Sequence, residues 1–151
     1  PGGFIAYRTS DSIEQTGEVS TATRWFRSNG EFWGIDSNAF TEHQGKLYLS
    51  NGYLAERWTE WLLHNVRVCR AVGGSGSIHL QLGLEGRLGS TWARASGAYG
   101  PEHVALEDRV HYQGAIDSAA DEDDILMQAK KAFDQLRAAY GMSPLQFDDF
   151  K

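Results

Sequence analysis

The spacing of apolar residues changes period several times along the chain, and each change marks an element. Phe4 to Arg8 reads as a short strand, and the polar run Ser10 to Ser20, with Gly17 inside it, reads as a connection. Two aromatic-rich runs follow, Thr23 to Arg27 and Glu31 to Asp36, separated by Asn29-Gly30. That dipeptide suits a two-residue type I′ turn because both residues tolerate positive φ, so the pattern predicts a β-hairpin. Lys46 to Leu49 reads as a third strand of the same meander, after a loop holding Glu42, His43 and Gly45.

From Tyr53 to Val72 the period becomes helical. Leu54, Trp58, Trp61, Leu62, Val66, Cys69 and Val72 recur at helical spacing, with Glu56, Arg57, Glu60, His64, Arg67 and Arg70 largely on the other side. Ser50 or Asn51 can cap the first turn, Gly73-Gly74 can end the last, and Trp58 and Trp61 read as core anchors pressed on a sheet. Ile78 to Leu84 then alternates, with Ile78, Leu80, Leu82 and Leu84 on one face and His79, Gln81 and Gly83 on the other. Gly86 to Gly89 turns the chain, which makes Ser90 to Ala95 a returning strand that carries Trp92. Ser96 to Glu102 is a loop, and His103 to Asp117 is extended over Val110, Tyr112, Ala115 and Ile116. Asp121 to Asp124 opens a second helix whose stripe is Ile125, Leu126, Ala129, Phe133, Leu136 and Tyr140, and Gly141 stops it. Its acids stand at the N-terminus and Lys130, Lys131 and Arg137 later, as the helix dipole favours.

The order is strands then helix, twice. The economical solution is one α+β domain over residues 1–151, a mostly antiparallel sheet with two main helices packed on one face. Residues 1–20 are peripheral in this reading and 142–151 form an irregular tail.

Composition narrows the class. A chain of 151 residues can bury roughly 70% of its unfolded surface, so it needs no metal or disulfide to be stable. With 41% hydrophobic residues and five tryptophans it belongs with globular proteins, and no apolar run approaches the ~20 residues of a membrane helix. Cys69 stands alone, so no intrachain disulfide can form and a cytoplasmic setting is the default. Net charge is −6, and all of it lies in residues 101–151, which carry eleven acidic and five basic side chains; residues 1–100 balance at nine of each. A surface built to hold polyanions shows the opposite bias. The opening Pro-Gly-Gly resembles no signal peptide and suggests a piece of a longer chain.

Candidate chemistry is sparse. Four consecutive carboxylates, Asp121 to Asp124, point in different directions on one helical turn and read as capping rather than a metal site. His43, His64, His79, His103 and His111 lack the close spacing of a zinc site, so no metal is expected. Glu85 and Arg87 at a strand end resemble the acid-x-base endings of some nuclease strands, with Asp36 as the tempting upstream acid, but a strand ending in a solvated turn is the simpler reading. Cys69 lies on an apolar stripe and reads as an inert small hydrophobe. Gly73 to Gly76 follows a helix rather than preceding one, the wrong end for phosphate, and reads as a linker. No catalytic residue and no cofactor is assigned.

One resemblance runs through roughly residues 20 to 150. Its marks are Arg24-x-Phe26-x-x-Asn29-Gly30 with Asp36, Leu49-Ser50 before the long helix, Leu82-x-Leu84-Glu85-Gly86, and Gly141-x-Ser143-Pro144-x-x-Phe147-Asp148. This pattern resembles the region that follows the Schlafen-type, AlbA-like DNA-binding domain of bacterial proteins. The resemblance implies that nucleic-acid contacts belong to the preceding domain, absent here, and it carries over no catalytic residues.

The leading expectation is therefore a non-catalytic accessory or sensor module of a larger intracellular bacterial protein. It would bind a protein partner, a neighbouring domain or a small ligand through Arg24, Trp25, Arg27 and Trp33. The alternative is a nucleic-acid-binding component in which Arg24, Arg27, Arg57, Arg67 and Arg70 meet on one surface and Trp25 or Trp33 stacks bases. The hairpin carries the main clue. At period 2, Trp25 points opposite to Arg24 and Phe26, and Phe32 opposite to Trp33, so both faces carry aromatic mass.

Overall fold

The computed structural model describes residues 3–9, 19–26, 30–94 and 100–150; the side chains of 3–9, 19, 20 and 25 fall outside that description. The expected connection over 10–18, the turn residue Asn29 and most of the loop before Glu102 therefore lie outside the described residues. The class is α+β, with two helices and several small, mostly antiparallel sheets among the described residues in place of the single expected sheet. Its chain contacts divide it into two units, Pro1–Phe40 and Thr41–Lys151.

The first unit holds β1 (Gly3–Thr9), β2 (Val19–Phe26) and β3 (Glu31–Asp36), antiparallel in the order β1-β2-β3. The expected hairpin is there, but its turn is longer. Phe26 pairs with Glu31, so four residues, 27–30, connect the strands, where a two-residue turn would have placed Ser28 opposite Glu31. Gly30 closes this loop, donating its N–H to Phe26 O at 2.9 Å from a φ of +71°, a conformation that glycine adopts without a Cβ penalty. The register moves by two residues relative to the expectation. Because the side-chain period is also two, the division of faces is unchanged. Arg24 stands opposite Trp33, Phe26 opposite Glu31 and Ala22 opposite Ile35, while Trp25 stands opposite Phe32.

The second unit begins with β4 (Phe40–His43, its first residue at the unit boundary) and β5 (Lys46–Leu49). Between them Gln44 and Gly45 have φ of +51° and +74°, the two positive values of a type I′ turn. The tight turn thus sits here, and Glu42 and His43 belong to a strand instead of the expected loop. Glutamine is an atypical first residue for this turn, which hides it in the sequence. β5 pairs in parallel with β7 (Thr91–Trp92), Tyr48 opposite Thr91 and Leu49 opposite Trp92. The strand expected over Ser90 to Ala95 is thus short and joins β5, not its sequence neighbour.

That neighbour, β6 (Ser77–Leu84), pairs with β8 (Val110–Asp117) along its whole length, from Ser77 opposite Asp117 to Leu84 opposite Val110. Leu80, Leu82, Leu84 and Ile116 are buried on one side; His79, Gln81, His111 and Gln113 are exposed on the other. α1 (Asn51–Ala71) buries Leu54, Trp58, Leu62 and Val66, while Val72, expected on that stripe, lies past the helix end and is exposed. α2 (Glu122–Ala138) packs against both β8 and α1. Its core face is Ile125, Ala129, Ala132, Phe133 and Leu136.

The helix ends follow their local chemistry. Asp121 caps α2 by accepting Asp124 N–H at 2.9 Å, but the Ser50 hydroxyl shares a hydrogen bond with the Thr41 hydroxyl at 3.1 Å and does not cap α1. Asn51 instead ties the start of α1 to β7, its amide accepting from Trp92 Nε1 and donating to Ala93 O, each at 3.1 Å. Both helices stop in Schellman motifs. Gly74 N donates to Cys69 O at 2.8 Å and Met142 N to Arg137 O at 3.0 Å, with Gly73 and Gly141 at positive φ. After α2 the tail is irregular yet anchored: Asp134 accepts Leu145 N–H at 2.9 Å, and Phe150 lies 5.7 Å from Phe133, centroid to centroid.

Candidate functional site

The hairpin residues singled out above form an open face on the N-terminal sheet. Central-strand residue Arg24 is exposed, and its guanidinium carbon lies 4.2 Å from the centre of the Phe26 ring, a cation–π stack along one strand. Across the pair stands Trp33, 55% exposed, and two residues on is Ile35, 67% exposed. Among the described residues, large apolar side chains, the Arg24 cation and the Glu31 carboxylate thus share a face that water reaches. The opposite face carries half-buried Phe32 beside the register position of Trp25. The side chain of Trp25 and all of Arg27 lie outside the described residues.

The three helix arginines of the nucleic-acid alternative are in different circumstances. Arg57 donates to Glu60 at 2.9 Å and to Tyr53 Oη at 3.3–3.4 Å. Arg70 donates to the carbonyls of Ser118 and Ala120, tying the end of α1 to the turn before α2. Arg67 is exposed. At 100° per residue, Arg57 and Arg70 also point well apart around the helix. Two of the three therefore have internal work, and the shared surface is not formed on α1 alone.

The remaining candidates separate similarly. Asp36 accepts from Asn38 N at 2.8 Å and Nδ2 at 3.0 Å, shaping a turn. Glu85 is exposed and faces Arg109 at 3.5 Å. His103 Nδ1 lies 3.1 Å from Tyr140 O, and the other four histidines are exposed. Among the described residues, no three His, Cys, Asp or Glu side chains gather in a way that could hold a metal ion.

Sequence reasoning missed one arrangement. Arg87, read as part of a solvated turn, is wholly buried. It follows β6 in a turn flanked by Gly86 and Gly89, and its Nη2 donates to Arg109 O at 2.9 Å. Its guanidinium carbon lies 5.7 Å from the centre of the Tyr140 ring, and Tyr140 Oη lies 2.6 Å from Ser90 Oγ. Burial raises the Tyr140 pKa above the ordinary tyrosine value; the Ser90 hydrogen bond and the Arg87 charge pull it partly back. Trp92 packs on the same ring at 5.2 Å and on Phe133 at 5.5 Å. The only hint in the sequence is an arginine between two glycines, next to a stretch dense in aromatics that arrive from distant positions.

The chain matches no protein-family model, no curated protein and no solved structure. Among the described residues, no helix is long and apolar enough to cross a membrane.

Proposed function

We propose that this chain is a non-catalytic accessory or sensor module of a larger intracellular bacterial protein, and that it works by docking a protein partner on the β2–β3 face. The observation that carries the reading is the exposure of Trp33 and Ile35 beside the Arg24–Phe26 stack. Exposed apolar side chains in one patch cost solubility and mark interaction surfaces, and Trp with Arg is the pairing that dominates interface energetics. The Arg24 cation beside exposed Trp33 and Ile35 fits a partner that presents apolar side chains around a carboxylate. The resemblance to the region after a Schlafen-type, AlbA-like DNA-binding domain supports a neighbouring domain of the same longer chain as that partner.

A pull-down between this chain and its parent polypeptide, with Trp33→Ser and Arg24→Glu as variants, tests the proposal. Capture is expected from wild type and lost in both variants. Equal capture by all three would remove the face from consideration, and an activity abolished by one point substitution would end the non-catalytic reading.

A second reading draws on the same residues. A guanidinium stacked on Phe26 next to an exposed tryptophan is also the chemistry that holds unstacked bases. Retention of labelled single-stranded DNA that falls steeply with salt would favour it over a protein partner.

A further inference from the structure

We propose that Arg87 anchors a closed site for a small oxyanion, a carboxylate or a phosphate, whose place beside the guanidinium is held in this structure by Glu107. Among the described side chains, the buried nitrogens without a hydrogen-bond partner both belong to Arg87, Nε and Nη1. A buried guanidinium that leaves donors unused is costly, because the desolvation penalty is not offset by bonds made. Guanidinium edges are also the side-chain forks best matched to two oxygens of one anion.

The groups around Arg87 fill that role poorly. Glu107 Oε2 lies 3.6 Å from Nη2, beyond the ~2.8 Å of a charge-assisted hydrogen bond, and the Glu107 side chain is 75% exposed. The next residue leans on the same turn just as loosely. Asp108 O is 3.4 Å from Arg87 N, and Asp108 Oδ1 is 3.5 Å from Leu88 N. An oxyanion bridging Nη1 and Nη2 would make the two-pronged contact that Glu107 misses, while Nη2 keeps its second hydrogen for Arg109 O. Arg87 is sealed, so entry requires the Glu107 side chain to swing out and its segment to yield. The movement is confined to residues 106–108: buried Ala105 exchanges backbone hydrogen bonds with Gly89 and Ser90 and stays in place, whereas Glu107 is already mostly in water and Leu106 is 83% exposed. Arg87 and Glu107 belong to the larger unit and the β2–β3 face to the smaller one.

The Nε–Hε signal of Arg87 in a ¹H–¹⁵N spectrum, assigned through its own chain, reports on the site directly. Sodium acetate and inorganic phosphate are titrated separately at matched ionic strength, with chloride as the control. A saturable shift is expected with one or both oxyanions and none with chloride, and the two arms distinguish carboxylate from phosphate. Glu107→Gln removes the competing carboxylate and should tighten the midpoint by about two- to fivefold, the scale of a weak exposed ion pair. Arg87→Lys loses the fork and with it the Nε–Hε signal, so it is compared with wild type at the backbone amides of Leu88 and Arg109, where the saturable shift of wild type should be absent; if it fails to fold, the gain in Glu107→Gln decides alone. No saturable shift in either wild type or Glu107→Gln, or a midpoint unchanged by Glu107→Gln, would overturn the proposal.

Discussion

Two antiparallel ladders in this chain have the same local grammar and opposite fates. In β6–β8 the alternating Leu80, Leu82 and Leu84 are buried, and α2 lies against β8. In β2–β3 the alternating Trp33 and Ile35 are exposed. The difference teaches that alternation creates two faces but does not bury either. Burial needs a second layer, and in the larger unit α2 supplies it with a stripe of its own. An exposed apolar face is then the more informative of the two, because folding alone does not explain it.

The comparison can be broken or sharpened by substitution. The largest effect is expected at Leu136, fully buried on α2: Leu136→Ala should lower the stability of the larger unit by about 2–5 kcal/mol in urea unfolding, from lost burial plus the cavity left behind. Next is Gly114, opposite Leu80 on the buried side of β8. A Cβ there would stand 2.7 Å from Tyr112 Oη and 3.0 Å from Gln128 Oε1, between two groups that are hydrogen-bonded at 2.5 Å. Gly114→Ala should therefore cost about 1–3 kcal/mol by displacing that bond, read in the same unfolding curves.

A third effect appears only at high pH. Burial raises the pKa of both Tyr112 and Tyr140 in the folded chain. Below about pH 10 both folded and unfolded states keep the phenol proton; above it the unfolded state releases its proton first, so stability falls as pH rises towards the folded value. Tyr140→Phe should flatten the decline of the melting temperature above pH 10, while costing a little stability at neutral pH through the lost Ser90 bond. The smallest effect is expected on the open face. Trp33→Ala should change stability by less than about 0.5 kcal/mol, as exposed positions do. A loss of more than about 2 kcal/mol would mean that Trp33 is a core residue after all, and the contrast between the ladders would disappear.

The elements whose signal is local were legible in the sequence. The helical stripes ending at Gly73 and Gly141, the Asp121 cap and the alternation of Ile78 to Leu84 depend on residues within a few positions of one another, so the pattern carries them directly. The hairpin was legible in its faces but not in its turn, because a shift of two residues leaves every side chain on the same side.

What only the tertiary structure decided was pairing over distance and the fate of polar groups. Whether β6 meets Ser90–Ala95 or Val110–Asp117 is not encoded in either strand's alternation; the competition is settled by which arrangement lets Thr91 and Trp92 join β5 and lets Trp92 fill the space between Phe133 and Tyr140. Lys130 and Arg87 look like surface cations in a linear reading, yet Lys130 is buried with Asp134 at 2.5 Å and Arg87 is enclosed by residues up to 53 positions away. The sequence by itself determined the α+β class, the two helices and the aromatic hairpin, since those follow from periodicity and capping chemistry. The three-sheet arrangement, the open Arg24–Trp33 face and the buried Arg87 were decided by the tertiary structure, because burial is a property of what arrives from elsewhere in the chain.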